Sequence, residues 1–354
     1  MSSGGPPTIV SIAERAGVSI ASVSRVLNGL GARPETEDRV RRAASELGYV
    51  PNAVARSLKD GHTRQLTFAV PDIGNPVYVA MVREIQAVAK AAGYRLLLHS
   101  TDADVADELG VVRSLADRTS DGLVLVPIRI TPAHVEALTA APGPVVVIGS
   151  LPDGVPVDGV QADSVTGAEL AVRHLVESGR RRIALVNGPV DTVPGGNRGR
   201  GYRAALAACG IPYDPELVTA TDFGVGAGAR ATARLLAARP DLDAVFCAND
   251  QLAIGAVQAL HAAGRRIPRD TAVAGMDDSD LAVAAWPPLT SVDLGAGERG
   301  RRAARMLLER LAPGSGEPLP ARRTTAAPRL VVRGSTSPGA APAGSDEQEG
   351  AKSA

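Results

Sequence analysis

Over residues 18–29 the sequence runs VSIASVSRVLNG, which places Ser19, Ser22, Ser24 and Arg25 where a short helix can show them together. A guanidinium on such a face matches the O6 and N7 acceptors of guanine in a DNA major groove. Hydroxyls beside it suit the phosphate oxygens that fix register. Ile20 and Ala21 can add only apolar contact, such as to a thymine methyl, so Arg25, Ser22 and residues beyond this helix, in the segment 51–58, must carry most of the discrimination. A second polar set lies far downstream. Asp72, Asn75, Ser150, Asn187, Asp222, Asn249 and Asp277 each follow an apolar run, and Arg198 opens a predicted helix. Carboxylate, amide and guanidinium groups pair with vicinal hydroxyls, and Tyr78, Phe223 and Trp286 offer rings for a sugar's C–H face. The combination suits a polyhydroxylated small molecule.

The first set needs a short, anchored helix. Helices are predicted over 9–16, 20–27 and 35–47, with Ser19 a suitable N-cap and Pro34 in the first turn of the third. Ile12, Ala13, Ala16, Val18, Val23, Val26 and Leu27 can share a small core, with Gly17 at the turn. That leaves Ile20, Ala21, Ser22 and Arg25 on the outer face of the second helix, as in a helix–turn–helix. A plain helical bundle capping a larger body would show the same pattern, so the residues alone leave both readings open.

The second set needs sheets. LTFAV, YRLLLHS, DGLVLVP and PVVVIGS read as strands alternating with helices at 77–92, 105–118 and 132–140. RRIALVN, LVTAT, DAVFCA and TAVAGM alternate with helices at 165–178, 198–209, 226–238 and 250–263. Residues 295–312 form a last helix and RLVVRG a last strand. Nearly continuous apolar strands between amphipathic helices imply parallel sheets covered on both faces, and two series imply two lobes with a cleft. Ligands sit beyond the carboxyl ends of such strands, where the second polar set falls.

Composition bounds the function. With 45% hydrophobic and 21% charged residues and only strand-length apolar runs, a globular protein without membrane spans is expected. The formal charge is zero, yet residues 1–64 hold nine Arg or Lys against six Asp or Glu, leaving a matching deficit downstream. A basic head on a slightly acidic body fits nucleic-acid contact by the head. Cys209 and Cys247 stand singly in predicted helix and strand, as buried thiols would, and no Cys/His cluster has metal-ligand spacing. The glycine-rich TDFGVGAG, residues 221–228, follows a strand and opens a helix, but its G-x-G-x-G spacing departs from the dinucleotide fingerprint. These glycines are expected to relieve crowding at a cleft-lining turn.

AGVSIASVSRVLN, residues 16–28, resembles the helix–turn–helix of the lactose-repressor-like (LacI/GalR) family, and ELGYVPNAVARSL, residues 46–58, resembles its third-helix end and hinge helix. The similarity runs from 8 to about 335 and takes in Asn75-Pro76, Arg198 with Gly201-Tyr202, Ala248-Asn249-Asp250, and Asp277-Asp278 before Pro287-Pro288-Leu289-Thr290. It implies DNA contacts by Ser19, Ile20, Ala21, Ser22, Ser24, Arg25 and Asn28, and by Asn52, Ala53, Arg56 and Leu58 of a hinge helix seated in the minor groove. Leu58 would wedge into a base step and kink the duplex. It also implies Arg198 and Asp277 as the main ligand clamp, Asn249 as a further ligand contact, and Tyr78 and Phe223 as aromatic walls, beside Asp72, Asn75 and Ser150. One departure is Arg33, which stands where the family has a Ser or Thr cap before Pro34 and loses that cap bond.

The resemblance implies a small all-α helix–turn–helix head plus an α/β two-lobe core like that of periplasmic binding proteins. The expected divisions are a flexible leader 1–7, a DNA-binding domain 8–50, a hinge helix and linker 51–64, a core 65–334, and a disordered tail 335–354. Within the core, one lobe takes about 65–163 plus 293–321 and the other 164–292 plus 322–334. The expected function is a cytoplasmic, sequence-specific repressor whose binding to double-stranded operator DNA is controlled by a sugar-like effector. No enzyme activity, cofactor, metal or membrane partner is expected. A solute-binding protein for carbohydrate uptake has the same core, but the head and the absence of a signal pattern count against it. The tail holds no Leu, Ile or Val for a coiled-coil seam, so a homodimer is expected.

Overall fold

The computed structural model describes residues 7–50, 61–312 and 320–337, which fall into two compact units divided between Thr63 and Arg64. In the first, α1 (Ile9–Ala16) starts from Thr8, which exchanges capping bonds with Ser11, and ends at Gly17 in the left-handed region at φ 61. Ser19 caps α2 (Ile20–Leu27), and α3 (Pro34–Glu46) begins at Pro34 with no side-chain bond from Arg33, as its type dictates. Ile12, Val23 and Val40 are fully buried where the three helices meet, and Ala13, Ala16, Val26 and Ala43 fill the gaps. Burying each of the large three stabilises the bundle by roughly 2 kcal/mol. The division at Gly17 is held from across the bundle, because the Arg39 guanidinium donates to the carbonyls of Ala16 and Gly17.

The second unit holds two six-stranded sheets. One contains β1 (Gln65–Val70), β2 (Arg95–Ser100), β3 (Gly122–Leu125), β4 (Val145–Ile148), β5 (Asp158–Ala162) and β11 (Arg323–Ala326), all parallel, in the order β11-β5-β4-β3-β1-β2. The other contains β6 (Ile183–Asn187), β7 (Val218–Ala220), β8 (Ala244–Cys247), β9 (Ala272–Met276), β10 (Thr290–Asp293) and β12 (Arg329–Val331), in the order β12-β10-β9-β8-β6-β7 with β12 antiparallel. The period of two splits each strand between two cores. Leu66, Phe68, Val124 and Val146 face one side with α4 (Pro76–Ala91) and α12 (Ala296–Leu311), whereas Leu123, Leu125, Val145 and Val147 face α5 (Val105–Arg113) and α6 (Pro132–Thr139). In the second sheet Leu185 and Phe246 face α7 (Ser164–Glu177) and α8 (Val193–Ala208). Val186 and Val245 face α9 (Val225–Ala238) and α10 (Asp250–Ala262). Among the described residues no helix is long and apolar enough to cross a membrane.

Several elements differ from the expectation. β5 (DGVQA), β10 (TSVD), β11 (RTTA) and a short helix α11 (Asp280–Ala284) are absent from the sequence reading, because each is brief and carries too little apolar periodicity. The helix expected over 198–209 starts at Val193, since Thr192 caps it and Pro194 fits its first turn, despite the Gly195-Gly196 pair that reads as a breaker. Arg198 therefore lies in the second turn, not at the opening. The chain's last passage between lobes falls after Ala326 rather than at 322, because β11 pairs with β5. Asp158 of β5 holds this return: it is fully buried and bonded to the guanidiniums of Arg310 and Arg322 at 2.8 and 2.7 Å. The tail expected from 335 also begins too early. Ser335 is buried, accepts from the Thr290 amide at 2.7 Å and donates to the Val273 carbonyl, and Thr336 bonds His174 at 2.7 Å.

Candidate functional site

The head presents a defined face on α2. Ser19 accepts from the Ser22 amide at 3.1 Å, and the two hydroxyls bond each other at 2.9 Å. Asn28 closes the other end by donating to the Ser24 carbonyl at 2.7 Å. With both ends tied, Ile20, Ala21 and Arg25 stand exposed between them, Ile20 at 47%. Among the described residues, the Arg25 guanidinium reaches only the Leu30 carbonyl, at 3.3 Å, which takes one of its five donors. The expected core residues turn inward as their spacing requires. Asn52, Ala53, Arg56 and Leu58 lie outside the described residues.

In the second unit the carboxyl ends of both sheets converge on a cavity of about 470 Å³. Asp72, Asn75, Tyr78, Ser150, Arg198, Phe223, Asn249 and Asp277 all line it, as does Asp222. At its centre, Arg198 and Asp277 are each more than nine-tenths buried, and Arg198 Nη2 donates to Asp277 Oδ1 at 3.1 Å while Nη1 donates to the Ala248 carbonyl. Among the described residues, none accepts from Nε of Arg198. Burial pushes the Asp277 carboxyl above its usual range, and Arg198 and Arg299 oppose that rise. Asp277 sits at φ 103, a left-handed conformation that costs energy in a non-glycine residue and is held by its amide donating to the Val292 carbonyl at 2.9 Å. Tyr78 faces the same charges from the other lobe, and burial raises its phenol, with Asp277 adding to the effect.

Other expected residues turn out to be occupied. Asn249 caps α10 by accepting from the Leu252 amide at 2.9 Å and donates its amide to the Phe223 carbonyl at 3.1 Å, which fixes the ring-bearing loop. These two bonds use one N–H and one oxygen lone pair of the amide and leave one of each. Asn75 caps α4 in the same way, accepting from Val77 at 3.1 Å, and Asp72 accepts from Gly74 at 2.7 Å. Asn187 spends both ends on Gly188 and Gly195. Trp286 does not serve the cleft: it is 82% exposed and lies outside the cavity lining. Asp250 takes three hydroxyl and amide donors from Ser279 and Ser291, and its carboxyl is pushed up to about 7, chiefly by burial and then by Asp277. Asp278 pairs with buried Arg333 at 2.6 Å. Both therefore brace the loop that carries Asp277.

Sequence reasoning missed Arg299, a buried cation on α12 that lines the cavity. In AGERGRRAARMLLERL it looks like one of many surface arginines. The signal was its spacing, for Arg299 shares a helix face with Ala296, Gly300, Ala303 and Leu307, all of them buried. The glycines of TDFGVGAG are not turn relief. A Cβ at Gly224 would meet nothing, whereas one at Gly228 would lie 2.4 Å from the Leu252 carbonyl, so Gly228 permits α9 to cross α10 closely. Both cysteines are free, and burial pushes the Cys247 thiol up.

Comparison with known proteins accords with this two-unit arrangement. Residues 8–52 match the profile of "Bacterial regulatory proteins, lacI family", and residues 172–336 match that of a "Periplasmic binding protein-like domain". The chain is similar to HTH-type transcriptional regulator CelR of Thermobifida fusca, at 38% identity covering 92% of this chain and 97% of that one. It is 33% identical to HTH-type transcriptional regulator DegA of Bacillus subtilis, covering 94% and 98%. Among solved structures, a CelR–cellobiose complex superimposes with a TM-score of 0.70 at 36% identity over 93% of this chain and 99% of that chain. A lac repressor dimer bound to operator and the anti-inducer ONPF superimposes at 0.82 with 27% identity, over 94% and 99%.

Proposed function

The chain belongs to the lacI family of bacterial regulatory proteins, and from that premise we propose that it is a repressor whose grip on operator DNA is set by a sugar-like molecule in the cleft. It is a DNA-binding transcriptional regulator and not an enzyme. The observation that carries the ligand reading is the buried Arg198–Asp277 pair facing a cavity of about 470 Å³ between Tyr78 and Phe223. A carboxylate and a guanidinium held side by side can accept from and donate to neighbouring hydroxyls, while the rings pack on the ligand's apolar face. The CelR structure holding cellobiose is in keeping with that class.

On the DNA side, Arg25 reads a base edge, Ile20 and Ala21 make apolar contacts, and Ser19, Ser22, Ser24 and Asn28 set register on the phosphates. Asn52, Ala53, Arg56 and Leu58 extend the contact into the minor groove. Two copies of the chain read two half-sites, in the cytoplasm where the DNA lies. Ligand alters the relative orientation of the lobes and thereby the operator affinity of the pair. An uptake role is not favoured, because it leaves the head without work. An operator-binding titration with and without mono- and disaccharides tests the reading. The expected result is a ligand that shifts operator affinity by about tenfold or more. Binding that no sugar changes, with the head still on DNA, would overturn the allosteric part.

A further inference from the structure

The cavity contains a cation that the protein itself does not answer. Arg299 is 8% exposed and lines the cleft from α12. Its Nε donates to the Leu294 carbonyl at 3.1 Å, which fixes the base of the guanidinium. Among the described residues, no carboxylate lies within ion-pair distance of Arg299 and no hydrogen bond reaches its Nη1 or Nη2. Its surroundings weigh against the charge: burial is the largest influence, Asp277 opposes it from a distance, and Arg198 adds to the strain. An arginine cannot shed its proton, so a buried one requires an anionic partner. The other buried arginines have theirs, Arg198 in Asp277 and Arg333 in Asp278.

Among the described residues, the lining carboxylate Asp222 is exposed, and the other carboxylates near Arg299 are engaged. Asp277 takes Arg198, Asp72 is exposed and turned on the Gly74 amide, and Asp293 accepts from Gly295 at 2.7 Å and sits 3.5 Å from Arg329. Arg129, a further lining cation, is paired with Asp191 at 2.7 Å. Among the described residues, the buried part of the cleft thus holds two guanidiniums, Arg198 and Arg299, against one carboxylate, Asp277. Hydroxyls of a neutral sugar could accept hydrogen bonds from Arg299, but they would leave its charge uncompensated in a desolvated site.

We infer that the ligand of this cleft is an acidic sugar, carrying a carboxylate or a phosphate ester that the free fork of Arg299 binds while Arg198 and Asp277 hold its hydroxyls. This deepens the sugar reading above and rests on it. A planar fork matches carboxylate and phosphate oxygens in pairs, which gives both attraction and orientation.

The experiment titrates the full-length chain calorimetrically with matched pairs: glucose against glucuronate, galactose against galacturonate, and glucose against gluconate and glucose 6-phosphate, with cellobiose alongside. The expected result is an acidic member that binds about tenfold or more tighter than its neutral partner. The uronate and phosphate arms separate the two anion sources. Arg299→Met should erase that preference, lowering acid affinity about tenfold and neutral affinity far less, while Arg299→Lys keeps part of it. Arg299→Met should also melt at or above the wild-type temperature without ligand, because it removes a buried unpaired cation. A lower melting temperature would place Arg299 in a structural role and overturn the inference. So would a neutral sugar binding tighter than every acid, an outcome that leaves the sugar reading standing. No binding by any sugar, neutral or acidic, would overturn both.

Discussion

At the glycines of TDFGVGAG, a close helix crossing and a phosphate-binding turn call for different outcomes residue by residue. Consider Gly224→Ala, Gly226→Ala and Gly228→Ala in the full-length chain. A Cβ at Gly226 would meet only the flexible end of Arg230, at 3.4 Å, whereas one at Gly228 would stand 2.4 Å from the Leu252 carbonyl and 2.8 Å from its Cα. Those atoms belong to the backbone of α10 and cannot swing aside. The shortfall of about 1 Å from ordinary contact must be met by moving one helix, an overpacking cost of roughly 3 kcal/mol. Alanine regains up to about 1 kcal/mol of helix propensity at either position. The net expectation is a loss of about 2 kcal/mol for Gly228→Ala and no loss, or a small gain, for Gly226→Ala. In a unit of this size, roughly 2–4 °C accompanies each kcal/mol, so Gly228→Ala should melt about 4–8 °C lower by calorimetry. Gly255, whose added Cβ would meet the Val225 carbonyl at 2.1 Å, should respond more strongly still. Gly228→Ala melting with wild type would refute the crossing argument. Weaker ligand binding by Gly224→Ala, where an added Cβ meets nothing, would instead revive a phosphate-cradling turn.

Two further tests bear on the head and on the return strand. Arg25→Ala should relax preference at one base position in each half-site, at about 1–3 kcal/mol per contact, in a titration across single-base operator variants. A uniform loss across all sequences would demote Arg25 to a phosphate contact. Asp158, held at about 2 by hydrogen bonds from Arg310 and Arg322 despite its burial, against an ordinary value of 3.8, should contribute roughly 2 kcal/mol of stability at neutral pH. Because the folded value is the lower one, that contribution is complete well above 3.8 and fades as pH falls toward 2. The urea-unfolding gap between wild type and Asp158→Asn should narrow by about 1 kcal/mol between roughly pH 6 and pH 3. A gap independent of pH would mean that the carboxylate's charge is not what Arg310 and Arg322 need.

Much of the architecture is legible because its signals are local. The strands that both cores bury are near-continuous apolar runs, and the head of α2 carries Ser19 as its cap. What escapes is pairing that depends on distant partners. TSVD and RTTA become strands only because β9 and β5 offer them open edges, and nothing within four residues announces that. The same holds for Ser335 and Thr336, polar residues in a Ser/Thr/Pro/Gly-rich stretch that are buried because Thr290, Val273 and His174 meet their hydroxyls.

The site divides along the same line, with consequences for its chemistry. A parallel sheet brings its carboxyl ends together by topology, so strand order alone places Asp72 and Ser150 at the edge of the first sheet and Asn249 and Asp277 at that of the second. Whether each group remains free for a ligand depends on what its fold neighbours take from it. Asn249 lies 26 residues from the carbonyl that claims its amide, and Asn187 gives its own amide to the Gly195 carbonyl eight residues on. Capping takes part of the bonding capacity of an amide or carboxylate, and the loops at helix starts decide which part. Guanidiniums have five donors and long stems, so Arg198 and Arg299 can each give one bond to a carbonyl of the scaffold and keep others for the cavity. A cleft that draws part of its walls from capping residues therefore leans most on its arginines and on the carboxylate of Asp277 for recognition. Ligand charge, more than hydroxyl count, is then the property that this cleft is built to distinguish.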